Sequence, residues 1–207
     1  MLLAASLLLV ETASAATPSP AALVARLAQP VPSQTPFVEV RHSPMLKQPL
    51  RVSGQYRRPD AATLVRQVQH PYSETSTIAD GKVRVQREGR ADRVFALGRA
   101  PELASLQNSF AALLGGDLTT LQRDFQLRSS GTGTQWQLHL QPRAPELAAR
   151  LQQLVLHGSG DELRCIETRP VRGQVQRTLV GGTAQAALAE AVEDGQALQA
   201  LCQGAGS

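Results

Sequence analysis

The residues of this chain that could carry a reaction are four histidines, two cysteines and a few strand-borne carboxylates. His42, His70, His139 and His157 each stand alone, with no second ligand at the spacing a metal site requires, and they read as surface residues. Cys165, in "ELRCIETRP", could act as a nucleophile only beside a base, and the sequence places none near it. Paired with Cys202, in "LQALCQG", it would instead tie a C-terminal helix to a strand. As two separate thiols, Cys165 would be a small apolar strand residue, and both readings stand. No Gly-x-Ser-x-Gly elbow, phosphate-binding loop or dinucleotide fingerprint occurs, and "GGDLTT" and "GSGD" read as turns. Glu39, Arg41 and Glu74 share strands with Phe37 and Tyr72. They are the candidates for a polar group turned inward, although such charges usually face water. The expectation is therefore a protein that is not an enzyme, with no catalytic residue, no metal and no cofactor.

What remains is the chemistry of apolar surface. In "TQWQLHLQP", Trp136, Leu138 and Leu140 point one way while Gln135, Gln137, His139 and Gln141 point the other, the period of a strand wet on one face. The chain has one Trp, and aromatics make up only 3% of its residues. The stripe is either packed core or the wall of something the protein holds.

The elements that must position this stripe follow from the change of period along the chain. "PAALVARLAQ" sets Leu23, Val24 and Leu27 at helical spacing, with Pro20 in the first turn and Pro30 stopping the run. Then "FVEVRHS", "LRVSGQYRR", "TLVRQVQH", "YSETSTIA", "GKVRVQRE" and "RADRVFALG" alternate with a period of two between short turns. Asp80-Gly81 and Glu88-Gly89 are suited to hairpins. "PELASLQNSFAALLGG" interrupts the strands with an amphipathic helix, whose Leu103, Leu106, Phe110, Leu113 and Leu114 share a face. A short helical turn capped by Asp117 follows. Strands resume with "DFQLRSSG", "TQWQLHLQP", "LQQLVLHGSG", "ELRCIETRP" and "GQVQRTLVG", with a helical corner at "APELAAR", and an Ala-rich helix runs from Thr183 to about Leu201. Roughly eleven strands in sequence curl rather than lie flat, and a curled sheet has an inside that the helices can cover. The fold class is mainly β with helices: an unclosed, curled antiparallel β-barrel of roughly eleven strands under a helical lid.

With 207 residues, the chain has room for one domain and a sizeable core. Its formal charge of +4 invites a nucleic-acid reading. The arginines are scattered among Gln and Glu along the strands, however, and no aromatic-plus-basic signature accompanies them, so no nucleic-acid partner is expected. "LLAASLLLV" is an apolar run too short to span a bilayer, and Ala13-Ser14-Ala15 supplies the small residues of a cleavage site. It reads as a signal peptide over 1–15, the alternative being a buried N-terminal helix, and no Lys or Arg precedes the run. Export to the periplasm is the expectation. The remaining boundaries are a linker and short helix over 16–36, the half-barrel over 37–182 with a lid helix over 101–116, and a C-terminal helix and tail over 183–207.

In this order, the elements resemble the LolA-like family of periplasmic carriers of outer-membrane lipoproteins. The resemblance rests on "LRVSGQYRRPD", with a basic residue before Pro, on the hairpin "IADGKVRV", and on "WQLHLQP". It runs from "ALVARLAQ" through "RTLVGG". It implies a hydrophobic cavity under a helical lid that accepts acyl chains, an inner-membrane donor, an outer-membrane acceptor, and a monomer. The side chains then expected to line the cavity are Val52, Tyr56, Leu64, Val68, Val83, Val85, Phe95, Leu106, Phe110, Leu113, Trp136, Leu138 and Leu140. Arg58, before Pro59, matches the family's lid-locking arginine, which hydrogen-bonds the lid backbone; many arginines of this chain are simply solvated. Where the family commonly has a strand rich in Phe and Trp, this chain has "DAATLVRQVQHP", which leaves the identity of the cargo open, and the stretch "FVEVRHSPMLKQPL" fits a divergent branch of the family. Leu and Val still dissolve alkyl chains, at ~0.8 kcal/mol per buried methylene, but say little about a head group. The alternative function is a non-enzymatic sensor of lipid or mislocalised lipoprotein built on the same fold. Such sensors usually carry a second domain, and only one helix is expected after Gly182.

Overall fold

The computed structural model describes residues 16–41, 49–97, 111–190, 192 and 194–204. Its strands, in chain order, are β1 (Ser33–Arg41), β2 (Leu50–Arg58), β3 (Leu64–His70), β4 (Glu74–Ala79), β5 (Lys82–Arg87), β6 (Arg93–Ala96), β7 (Phe125–Gly131), β8 (Trp136–Pro142), β9 (Leu151–Ser159), β10 (Glu162–Pro170) and β11 (Gln176–Val180). The helices are α1 (Pro20–Leu27), α2 (Leu118–Asp124), α3 (Pro145–Ala148), α4 (Gly181–Ala189) and α5 (Gly195–Gln203), and residues 111–115 are helical as well. The expected lid helix over 101–116 otherwise lies outside the described residues, as do Leu106 and Phe110.

All eleven strands form one sheet in the order β6-β5-β4-β3-β2-β1-β11-β10-β9-β8-β7, and every neighbouring pair is antiparallel. From β1 the chain meanders out to one edge, crosses to the far edge at β7, and meanders back until β11 lies beside β1. β6 and β7 each have one neighbour, so the sheet is not closed. Its hairpins fall where the turn chemistry puts them: Asp80 and Gly81, between β4 and β5, take φ of 51° and 68°, the left-handed pair that matches strand twist. β1 starts at Ser33, ahead of the boundary expected at Phe37.

Register sorts the side chains onto two faces. Phe37 lies opposite Gly54 and Val180, and Glu39 opposite Val52 and Thr178, so these share a face with Tyr56 and Arg58. Following the pairs outward puts Leu64, Arg66, Val68, Val83, Val85 and Phe95 on that same inner face. In the other direction it adds Ile166, Leu154, Leu156, Trp136, Leu138 and Leu140. α1 packs here through Leu23, Val24 and Leu27, in one cluster with Leu113, Leu121 and Phe125. α1 can start because Ser19 accepts the Ala22 amide at 3.2 Å and Pro20 occupies its first turn. α2 starts on Asp117, which accepts the Thr120 amide at 3.0 Å, and the cap bonds from Thr120 hold the Asp117 carboxyl below its ordinary range.

The outer face has its own smaller core, where Val38, Val40, Cys165 and Leu179 meet Ala184, Ala187, Leu198 and Cys202 of α4 and α5. Here the single helix expected from Thr183 to about Leu201 is corrected. The chain breaks it into α4 and α5, because the Asp194 carboxylate accepts the amides of Gln196 and Ala197 at 2.5 and 2.8 Å and so opens a new helix. Cys165 and Cys202 are joined by a disulfide that fixes α5 to β10.

Candidate functional site

Arg58 ends β2 directly before Pro59, where the strand must stop because proline offers no ladder donor. Asp60 then closes the turn by accepting the amides of Ala62 and Thr63 at 2.9 and 2.8 Å. Those bonds lower its carboxyl from the ordinary value. Paired with Ser33 in the ladder, Arg58 points to the inner face and is only 6% exposed. Its Nη1 donates to the carbonyls of Leu114 at 3.1 Å and Gln29 at 3.4 Å. The Gln29 amide also donates to the Leu114 carbonyl, at 2.9 Å. One guanidinium therefore ties the segment leaving α1 to the end of the helical stretch 111–115, and holds both over the rim of the sheet.

Beside this tie lies a cavity of about 270 Å³. Leu27, Pro36, Tyr56, Leu64, Leu114, Leu163, Ile166 and Val180 supply its apolar wall, and Arg58, Gln29, Ser33, Gln34, Thr35, Asp161 and Glu162 its polar parts. It is built from residues of β1, β2, β3, β10 and β11, together with residues of the α1 and 111–115 segments. Such a space can hold an apolar chain and, at Arg58, an acceptor group.

A polar seam crosses the inner face next to the cavity. Glu39 is 2% exposed, and its carboxylate accepts from Arg66 at 2.6 Å, Arg41 at 2.5 Å, Gln176 at 3.1 Å and Thr178 at 3.3 Å. Arg66 also stacks 4.6 Å from the centre of the Phe37 ring, which is 4.8 Å from that of Tyr56. Burial and the nearby Glu39 charge push the Tyr56 hydroxyl up, which keeps it neutral. Of the carboxylates considered for an inward role, Glu39 takes one, and Arg66 is its unforeseen partner. The signal for Arg66 was in the alternation of "LVRQVQH", where it shares a face with Leu64 and Val68.

Of the residues expected to line a binding site, the structure brings Tyr56, Leu64 and Arg58 to the cavity. Val52, Val68, Val83, Trp136, Leu138 and Leu140 lie on the same inner face but are buried. Leu113 is buried in the cluster with α1, and Val85 and Phe95 lie toward the β6 edge. Trp136 is 2% exposed, and its Nε1 donates to the Gly160 carbonyl at 2.8 Å. Its ring covers Gly158 so closely that a Cβ there would lie 2.0 Å from Cζ2. The Trp stripe is packed core. Leu27, Leu163, Ile166 and Val180 were missed as lining residues, because the elements that bring them together are far apart in the sequence.

The chain matches, over residues 12–205, the family described as outer membrane lipoprotein carrier protein LolA-like. No curated protein matches. Solved structures that match include a crystal structure of a LolA superfamily protein from Nitrosomonas europaea, 13% identical, with 75% of this chain and 72% of that chain covered and a TM-score of 0.38.

Proposed function

Because the chain belongs to the LolA-like family of outer membrane lipoprotein carrier proteins, we propose that it binds acyl chains of lipoproteins or lipids in the cavity beside Arg58 and delivers them towards the outer membrane. The observation that carries this is the cavity itself: apolar side chains from five strands, closed on one side by two backbone segments that a single buried arginine ties together. An acyl chain entering there leaves water for apolar wall, which favours uptake by ~0.8 kcal/mol per methylene. The tie consists of two hydrogen bonds to carbonyls, at 3.1 and 3.4 Å, few enough for it to open and close around cargo. In this account Arg58 is the lid lock, and Tyr56, Leu64, Ile166 and Val180 hold the chain.

The same proposal places the protein in the periplasm after cleavage near Ala15, taking cargo from an inner-membrane donor and passing it to an outer-membrane acceptor. The Cys165–Cys202 disulfide suits an oxidising compartment. No helix among the described residues is long and apolar enough to cross a membrane. Native mass spectrometry of protein purified gently from the periplasm is the test. The expected result is a mature chain carrying co-purified acyl lipid. A chain found only in the cytoplasm, or one that takes up no acyl lipid when offered it, would overturn the reading.

A further inference from the structure

Arg58 and Glu39 are both buried charges on the inner face, but only Glu39 has charged partners of opposite sign. Arg58 has two neutral carbonyls, both bonded through Nη1. Its Nε and Nη2 donate to no described residue, and among those residues no carboxylate lies within ion-pair distance. Those N–H groups are not sealed in protein either: the fully buried side-chain atoms without a partner among the described residues are Arg51 Nε and His157 Nε2. Arg58 borders both the cavity of about 270 Å³ and a much smaller one, which puts its unused donors beside open space. A buried guanidinium held only by neutral acceptors has an unfilled place for an anion, and its Nε/Nη2 edge is the fork that takes two oxygens at once.

We infer that the cavity selects a single-chain lipid with an acidic head group, carboxylate or phosphate, whose oxygens sit on Arg58 while its chain runs along Leu27, Tyr56, Ile166 and Val180. This rests on the carrier reading above and narrows its cargo. Size points the same way, since the cavity lies just below the ~300–1,000 Å³ usual for ligand sites and suits one chain. Orientation follows from charge. Arg58 is on β2, while Asp161 and Glu162 stand exposed at the β9–β10 end of the same cavity, three strand spacings or about 14 Å away. Asp161 is paired with Arg26 at 3.7 Å, which leaves the Glu162 carboxylate to disfavour an anionic head at that end.

The test uses delipidated full-length protein and three ligands sharing one chain: hexadecanoic acid, hexadecyl phosphate and hexadecanol, measured by displacement of a neutral fluorescent lipid. At least one acid should bind about ten-fold or more tightly than the alcohol, a preference of the size a charge-assisted pair supplies. Comparing the two acids identifies the head group. In Arg58→Gln the ratio of acid to alcohol affinity should fall towards one. Should that variant not fold, Arg58→Lys keeps the charge without the fork and should also reduce the ratio. Equal binding of acid and alcohol by the wild type would overturn the head-group assignment and leave the carrier standing. A preference that survives Arg58→Gln would also overturn it. If no ligand binds to folded protein, the carrier reading itself fails.

Discussion

Trp136 shows how one residue can answer for a whole stripe. Its indole has its hydrogen bond to Gly160 and lies against the bare backbone of Gly158, so the residue that could have reported on a ligand serves the core. Alternation assigned Trp136, Leu138 and Leu140 correctly to one face, but alternation cannot tell a packed wall from an open one. Gly158 is a glycine because a side chain would enter the ring. Gly158→Ala is therefore expected to destabilise the protein by about 1–3 kcal/mol through overpacking. Urea unfolding followed by Trp136 emission checks this, and an unchanged midpoint would mean the ring does not sit on that backbone. Arg66 carries a related lesson. An arginine at an inward position of a strand marks a buried partner, here Glu39, which strand propensity alone does not supply.

At the scale of elements, the strands were legible because short β-prone runs, many with period-two alternation, end at Pro, Gly or Asp turns. The C-terminal segment was less so. Its Ala-rich composition favours helix throughout, and the break depends on one cap, Asp194, whose carboxylate competes successfully for the amides of the next turn. The disulfide between Cys165 and Cys202 closes a sequence separation of 37 residues and holds α5 against the outer face. Removing it by Cys165→Ser with Cys202→Ser should lower stability by about 2–4 kcal/mol, through the larger freedom of the unfolded chain. The cavity is on the opposite face, so the melting temperature should fall while the folded variant still takes up acyl chain. Loss of uptake in a folded double variant would show that the outer core supports the site as well.

For the whole molecule, the two antiparallel meanders follow from patterns visible in the sequence, whereas the β1–β11 pairing that joins them does not, and neither does the cavity. It arises where β1, β2, β3, β10 and β11 meet the segments around Gln29 and Leu114, and no local pattern encodes that meeting. The central claim is that this space, rather than the Trp stripe, receives an acyl chain. Filling it tests the claim most directly. Ile166 borders the cavity, and Ile166→Trp would place a large side chain in it. Hexadecanoic acid is titrated into delipidated wild type and variant, and bound protein is counted by native mass spectrometry. One chain per wild-type molecule, bound saturably, and at least about ten-fold weaker binding by the folded Ile166→Trp variant are the predicted results. Equal binding by both, or none by the folded wild type, would contradict the account.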